Sequence, residues 1–178
     1  MDGGEFLERV AAGEKAFPKI ELNSVDLAGF DLRQIRLSGA RLTDVDLHGS
    51  ILTLADCSQA RLIRVRLSGA HLFRANFSAA HLSGTDFCAA NLHAANLEGA
   101  NLSNAYLRAA HLTQANLRNA DLTGASLQGA HLTESVFYNS NLSGADLTEA
   151  ILSRTDFRSA NLRSCKLPEG FGTLSSRF

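Results

Sequence analysis

The chain has 178 residues, 17 basic and 18 acidic, with a formal net charge of −1, three Cys, two Pro and no Trp. That length supports one domain with a real core, and the near-cancelled charge announces neither nucleic acid nor an anionic membrane as a partner. The odd number of cysteines (Cys57, Cys88, Cys165), with no C-x-x-C spacing, argues against a disulfide framework.

The N-terminal stretch MDGGEFLERVAAGEKAF is acidic and has no long apolar run. It does not read as a signal peptide. No stretch approaches the roughly 20 apolar residues that span a bilayer, so a cytoplasmic, reducing setting is expected. Within Glu5–Glu14, Phe6, Leu7, Val10 and Ala11 recur at helical spacing, with acidic residues early. This predicts a short capping helix, and residues 1–17 form the expected N-terminal cap.

From Leu22 to Leu167 the period changes to five. All 30 positions whose numbers end in 2 or 7 are Leu or Phe, except Cys57. The residue two before each centre is usually small, most often Ala, with Val25, Val45, Val65, Ser50, Ser135, Thr85, Thr155 and Cys165 as variants. Neither a helix (3.6) nor a strand (2) wants a period of five. Two inward residues spaced by two do share one face of an extended segment. Each unit therefore reads as a very short strand followed by a turn. Gly recurs two residues after the centre, as at Gly39 and Gly99, where a type II turn needs positive φ.

A chain that turns in one sense every five residues closes a polygon and stacks on itself. Periodicity alone leaves the number of sides open. A 20-residue displacement aligns Glu21 with Arg41, Arg36 with Asp56, Asp44 with Arg64, and Asp46 with Arg66. It also aligns Arg66 with Asp86, Glu98 with Arg118, Glu134 with Arg154, and Asp146 with Lys166. A 25-residue shift gives mostly like-charge pairs, but a 15-residue shift is also favourable.

The units ANLEG, ANLSN, ADLTG and ADLTE resemble the pentapeptide-repeat family. The resemblance covers about residues 18–169. It implies an all-β fold, a right-handed quadrilateral parallel β-helix of about 7.5 coils with four units per coil, carrying the short N-terminal capping helix. The small uninterrupted chain is similar to members abundant in cyanobacteria. Pro168 ends the repeat, and residues 170–178 are expected to form a C-terminal tail or cap. Phe171 and Leu174 would lie over the last coil, with Phe178 loose.

The chemistry-bearing residues do not assemble a site. Inward positions hold no formal charge, and Cys57, Ser50, Ser135, Ser140, Thr85 and Thr155 are small fillers of a narrow core. His71, His81, His111 and His131 each precede a centre, and four-sided coils would set His71, His111 and His131 on one face. No tetrahedral ligand set is evident, so no metal is expected. Arg33, Arg36, Arg41, Arg61, Arg64, Arg66 and Arg74 form an early basic concentration, interleaved with Asp44, Asp46 and Asp56. Direct nucleic-acid binding is not expected. No nucleotide-binding or nucleophile-elbow motif occurs, so neither catalytic residues nor a cofactor are expected.

Outward apolar residues are the departures: Ile51, Leu54 and Phe73 near one another, then Tyr106, Val136, Tyr138 and Ile151. Ile51, Leu54 and Phe73 are the candidate partner contact. The expected function is a non-enzymatic scaffold that binds a protein, with a homodimer through a solenoid end or face as a further possibility. The resemblance also opens an alternative, a DNA-mimicking inhibitor of DNA gyrase of the quinolone-resistance type.

Overall fold

The computed structural model describes residues 1–171. The chain forms one helix, α1 (Gly3–Ala11), and a parallel solenoid in which three-residue strands β1 (Glu21–Asn23), β2 (Arg41–Thr43) and β3 (Arg61–Ile63) pair in sequence order. Elsewhere each unit contributes a single parallel bridge, always to the residue 20 positions on, from Ala16↔Arg36 to Asp146↔Lys166. One coil is therefore 20 residues and four units. This settles the number of sides and gives the right-handed quadrilateral β-helix. Its faces are named here by their first central residues: Leu22, Leu27, Leu32 and Leu37.

The hydrogen bonds show why the five-residue unit closes. In the unit around Leu52, the Ile51 N–H donates to the Phe30 carbonyl of the preceding coil (2.9 Å). The Leu52 and Leu54 N–H groups donate to His71 and Phe73 of the following coil (2.8 and 2.9 Å). The Ala55 N–H closes the corner on the Leu52 carbonyl (2.9 Å). This answers the requirement that buried backbone groups be paired. It also dictates positive φ at the second residue after each centre from Phe17 to Leu162.

Gly fills nine of those corners, Gly39 (φ 66°) among them. The other 21, from Lys19 to Ser164, take φ between 53° and 62° without glycine. The expectation that glycine marks the corner was too narrow. A non-glycine residue there costs about 1–2 kcal/mol, and the N–H of the strained residue recovers it by bonding the next coil. Where Val follows the corner, at Val25, Val45 and Val65, no closing bond forms, and those corners end the three regular strands.

The Asn or Asp before each centre has two uses. Its side-chain oxygen accepts the N–H two residues on, as in Ser103 N–H to Asn101 (2.9 Å) and His48 N–H to Asp46 (3.0 Å). It also bonds up the stack: Asn76 donates to Asp56, Asn96 to Asn76, and Asn116 to Asn96, at 3.1, 3.3 and 3.1 Å. The core is a set of columns of Leu, Phe and Ala, nearly all closed to solvent. Buried Ser50, Ser135 and Ser140 return their hydroxyl protons to the carbonyls three residues back. Thr85 Oγ1 is the one buried side-chain polar atom without a partner among the described residues.

At the N-terminal end α1 starts on Asp2, whose carboxylate accepts the Glu5 N–H (2.8 Å). Arg9 reaches Glu14 at 2.5 and 2.7 Å, which ties down the end of the helix. Phe6 is fully buried and meets Phe17 edge-on at 4.8 Å. A Cβ on Gly3 would lie 2.9 Å from a Val25 methyl, so only glycine lets the helix sit this close. Coil pairing begins at Lys15 and Ala16, with Phe17 as the first inward aromatic residue. At the other end Phe171 packs edge-on to Phe157 at 6.0 Å. Leu174 and Phe178 lie outside the described residues.

Candidate partner-binding face

Flat β-helical faces present rungs of outward side chains about 4.8 Å apart. On the Leu32 face the residues preceding the centres are Asp31, Ile51, His71, Asn91, His111, His131 and Ile151. Ile51 and Phe73 are half-buried there, and Leu54 is 47% exposed. The Leu54 N–H bonds the Phe73 carbonyl, so the two residues occupy adjacent rungs as the 20-residue coil requires. The Phe73 ring stacks on His93 (centroids 5.5 Å apart, planes at 8°), and the Arg74 guanidinium sits 5.2 Å above it. Arg33 is held by Asp31, with contacts of 2.6–3.1 Å. These hydrogen bonds push the Asp31 carboxyl down to about 2. The three candidate residues therefore lie together with a charged rim.

A fourth residue belongs with them and was missed. Phe30 occupies an inward slot in the five-residue frame, yet it is 42% exposed. In the same column Ser50, Ala70, Ala90, Ala110 and Ala130 are buried. The Phe30 ring is larger than any of these side chains and is partly open to solvent. Its carbonyl accepts the Ile51 N–H, which sets it on the edge of the cluster. The readable signal was an aromatic residue at a position otherwise given to Ala, Ser, Thr, Cys, Val or Ile.

The other exposed apolar residues do not gather. Tyr106 (54% exposed) stands on the Leu27 face and Tyr138 (44%) on the Leu37 face, beside half-buried Val136. Ile151 (46%) shares the Leu32 face but at its far end.

His71, His111 and His131 do share this face, and His81 stands on the Leu22 face. His111 and His131 are neighbouring rungs with ring centroids 4.5 Å apart. Among the described residues no group of three or more His, Cys, Asp or Glu converges to hold a metal. Burial pushes the Cys57 thiol up to about 12, which suits a core filler and not a nucleophile. The grooves on the surface are open and shallow. One of 400 Å³ runs past His71, His93 and His111, and one of 440 Å³ past Arg61, Arg64 and His81.

Four of the eight cross-coil charge pairs form: Asp44–Arg64, Asp46–Arg66, Glu134–Arg154 and Asp146–Lys166. Arg41 and Arg61 face each other in register, and among the described residues neither forms an ion pair. Glu98 bonds Asn116 instead of Arg118, and Asp56 bonds Asn76 instead of Arg36. Long flexible side chains take whichever neighbour offers the better geometry. Exposed pairs of this kind differ by only about 0–1 kcal/mol.

The sequence matches the family model described as pentapeptide repeats in eight copies, spanning residues 20–56, 40–78, 50–87, 70–108, 100–139 and 140–169. Comparison with curated proteins finds no significant match. Among solved structures, the chain is similar to HetL, a pentapeptide repeat protein involved in heterocyst differentiation regulation from the cyanobacterium Nostoc sp. strain PCC 7120. The identity is 29% over 96% of this chain and 98% of HetL, with a TM-score of 0.31. A pentapeptide repeat protein from the Arabidopsis thaliana thylakoid lumen is 37% identical over 58% of this chain and 69% of its own, with a TM-score of 0.40. QnrB1, a plasmid-mediated fluoroquinolone resistance protein, is 18% identical over 85% of this chain and 91% of its own, with a TM-score of 0.44. No helix among the described residues is long and apolar enough to cross a membrane.

Proposed function

Because the chain belongs to the pentapeptide-repeat family, whose stacked coils present faces and not pockets, we propose that it is a non-enzymatic scaffold that binds a protein through its Leu32 face. The observation that carries this reading is the cluster of Ile51, Leu54 and Phe73 at outward positions that the fold fills elsewhere mostly with polar residues, with the exposed Phe30 at its edge. Nothing in the stacking requires them there. Apolar centre and charged rim together, with Arg33 and Arg74 at the edge, are the layout of a recognition patch.

The test is the triple variant Ile51→Thr, Leu54→Gln, Phe73→Ser in affinity capture from a host extract. These side chains are outward, so stability should change by no more than about 1 kcal/mol. Captured protein should fall at least severalfold against wild type and against a control altered on the Leu22 face. Unchanged capture would sink the reading, and a large drop in melting temperature would assign the cluster to the fold instead.

Gyrase inhibition by duplex mimicry is the weaker reading. A duplex as long as this solenoid, roughly 36 Å, shows about 20 negative charges. The most acidic face, the Leu27 face, has six acidic residues against three basic ones over residues 21–169. Two of those carboxylates, Asp46 and Asp146, are already bonded to Arg66 and Lys166. A supercoiling assay with low micromolar protein is expected to show no inhibition. Potent inhibition would reverse this ranking.

A further inference from the structure

The Leu32 face has a second property, which appears when the face is laid against itself. Consider a two-fold axis lying in the face and perpendicular to the solenoid axis. Each column of side chains then meets the same column of the second copy, running the opposite way. Numbering the rungs of Asp31 to Ile151 from one to seven, one register sets rung two on seven, three on six, and four on five. Ile51 then meets Ile151 of the second copy, and Arg74 meets Glu134 of the second copy. Leu54 lies under the stem of Arg154 of the second copy, and the Phe73 ring lies against Thr133 of the second copy. Symmetry makes every contact twice. Sliding one rung in one direction sets Arg74 against Arg154. Sliding one rung in the other sets Ile51 against His131 and Glu134 against Leu54.

We propose that the occupant of the Leu32 face is a second copy of this chain, bound with antiparallel solenoid axes in the register that pairs Arg74 with Glu134 and Ile51 with Ile151. This rests on the reading above that the face binds protein, and it names the partner. Three observations carry it. Among the described residues Arg74 forms no ion pair, and its guanidinium lies over the Phe73 ring. Leu54 and Ile151 are 47% and 46% exposed at opposite ends of the face, so a single antiparallel contact covers both. The face carries only three Arg and two acidic residues over its seven rungs, so close approach of two copies meets little repulsion.

The size of the face sets the strength. Six paired rungs at about 4.8 Å and a side of roughly 10–12 Å give on the order of 700 Å² buried by the pair, at the small end of weak and transient interfaces. The dimer is therefore concentration-dependent, with a dissociation constant on the order of 10–100 µM. The charge pairs set register more than affinity.

The experiment is sedimentation velocity of the full chain from about 1 to 300 µM, a range that brackets the expected constant. The variants are Arg74→Glu, Glu134→Arg and the double exchange. Both corners tolerate either residue, since Glu134 and Arg154 already hold positive φ of 59° and 57°. The wild type should pass from monomer to dimer. Each single change should weaken association at least roughly tenfold by facing like charges twice, and the double exchange should restore it. A monomer throughout overturns the proposal, as does a dimer indifferent to the single changes. A double exchange no better than the singles overturns the register. If the wild type is monomeric while the triple variant still loses captured protein, the dimer falls and the protein-binding reading stands.

Discussion

Leu97→Asp is expected to leave the chain unfolded at 25 °C, with the circular dichroism of the native coil lost. Leu97 is fully buried, in a column between Phe77 and Leu117, themselves closed to solvent. An aspartate there loses the packing of a leucine, which costs about 2–5 kcal/mol. It also buries a carboxylate with no cation in reach, because the inward positions hold no formal charge. That adds several kcal/mol, and protonation relieves only part of it. The total meets or exceeds the roughly 5–15 kcal/mol by which a domain of this size is stable. The backbone offers no escape. The Leu97 N–H is bonded to Asn116 and its carbonyl to Ala100, so the side chain cannot swing out without breaking both. Retention of the native spectrum and melting curve would show that this column does not face inward.

Phe6→Ala is expected to lower stability by about 3–5 kcal/mol. The ring closes the apolar cross-section of the first coil against Phe17, with Leu7 and Val10 packed beside it. Removing it leaves a cavity under α1 and loosens the cover over an open sheet edge. Such edges pair with other chains, so aggregation should accompany the lower melting temperature. Chemical denaturation of the variant measures the first effect, and light scattering at the same concentrations measures the second. A change under about 1 kcal/mol would show that the helix contributes little to closing the solenoid.

The capping helix could be read from Phe6, Leu7 and Val10, although it begins at Gly3 and stops at Ala11, not across Glu5–Glu14. Its start lies earlier because the Asp2 carboxylate caps it. The candidate contact could be read because Ile51, Leu54 and Phe73 break an otherwise polar outward pattern. Phe30 could not be read as outward by the same rule, because the frame places it inward. Its exposure, in a column whose buried members are Ala and Ser, shows only in the folded chain.

By itself the sequence determined the five-residue unit and which side chains point in. The extended segment alternates sides, and centre and centre minus two therefore share the core whatever surrounds them. The tertiary structure alone decided that four units make a coil, that Arg64 pairs with Asp44 while Arg61 faces Arg41, and that His111 stands over His131. It also decided that, among the described residues, 21 other than glycine take positive φ. Each of these depends on residues about 20 positions apart. The hydrogen bonds that join them exist only once one coil rests on another, and no local pattern encodes their geometry.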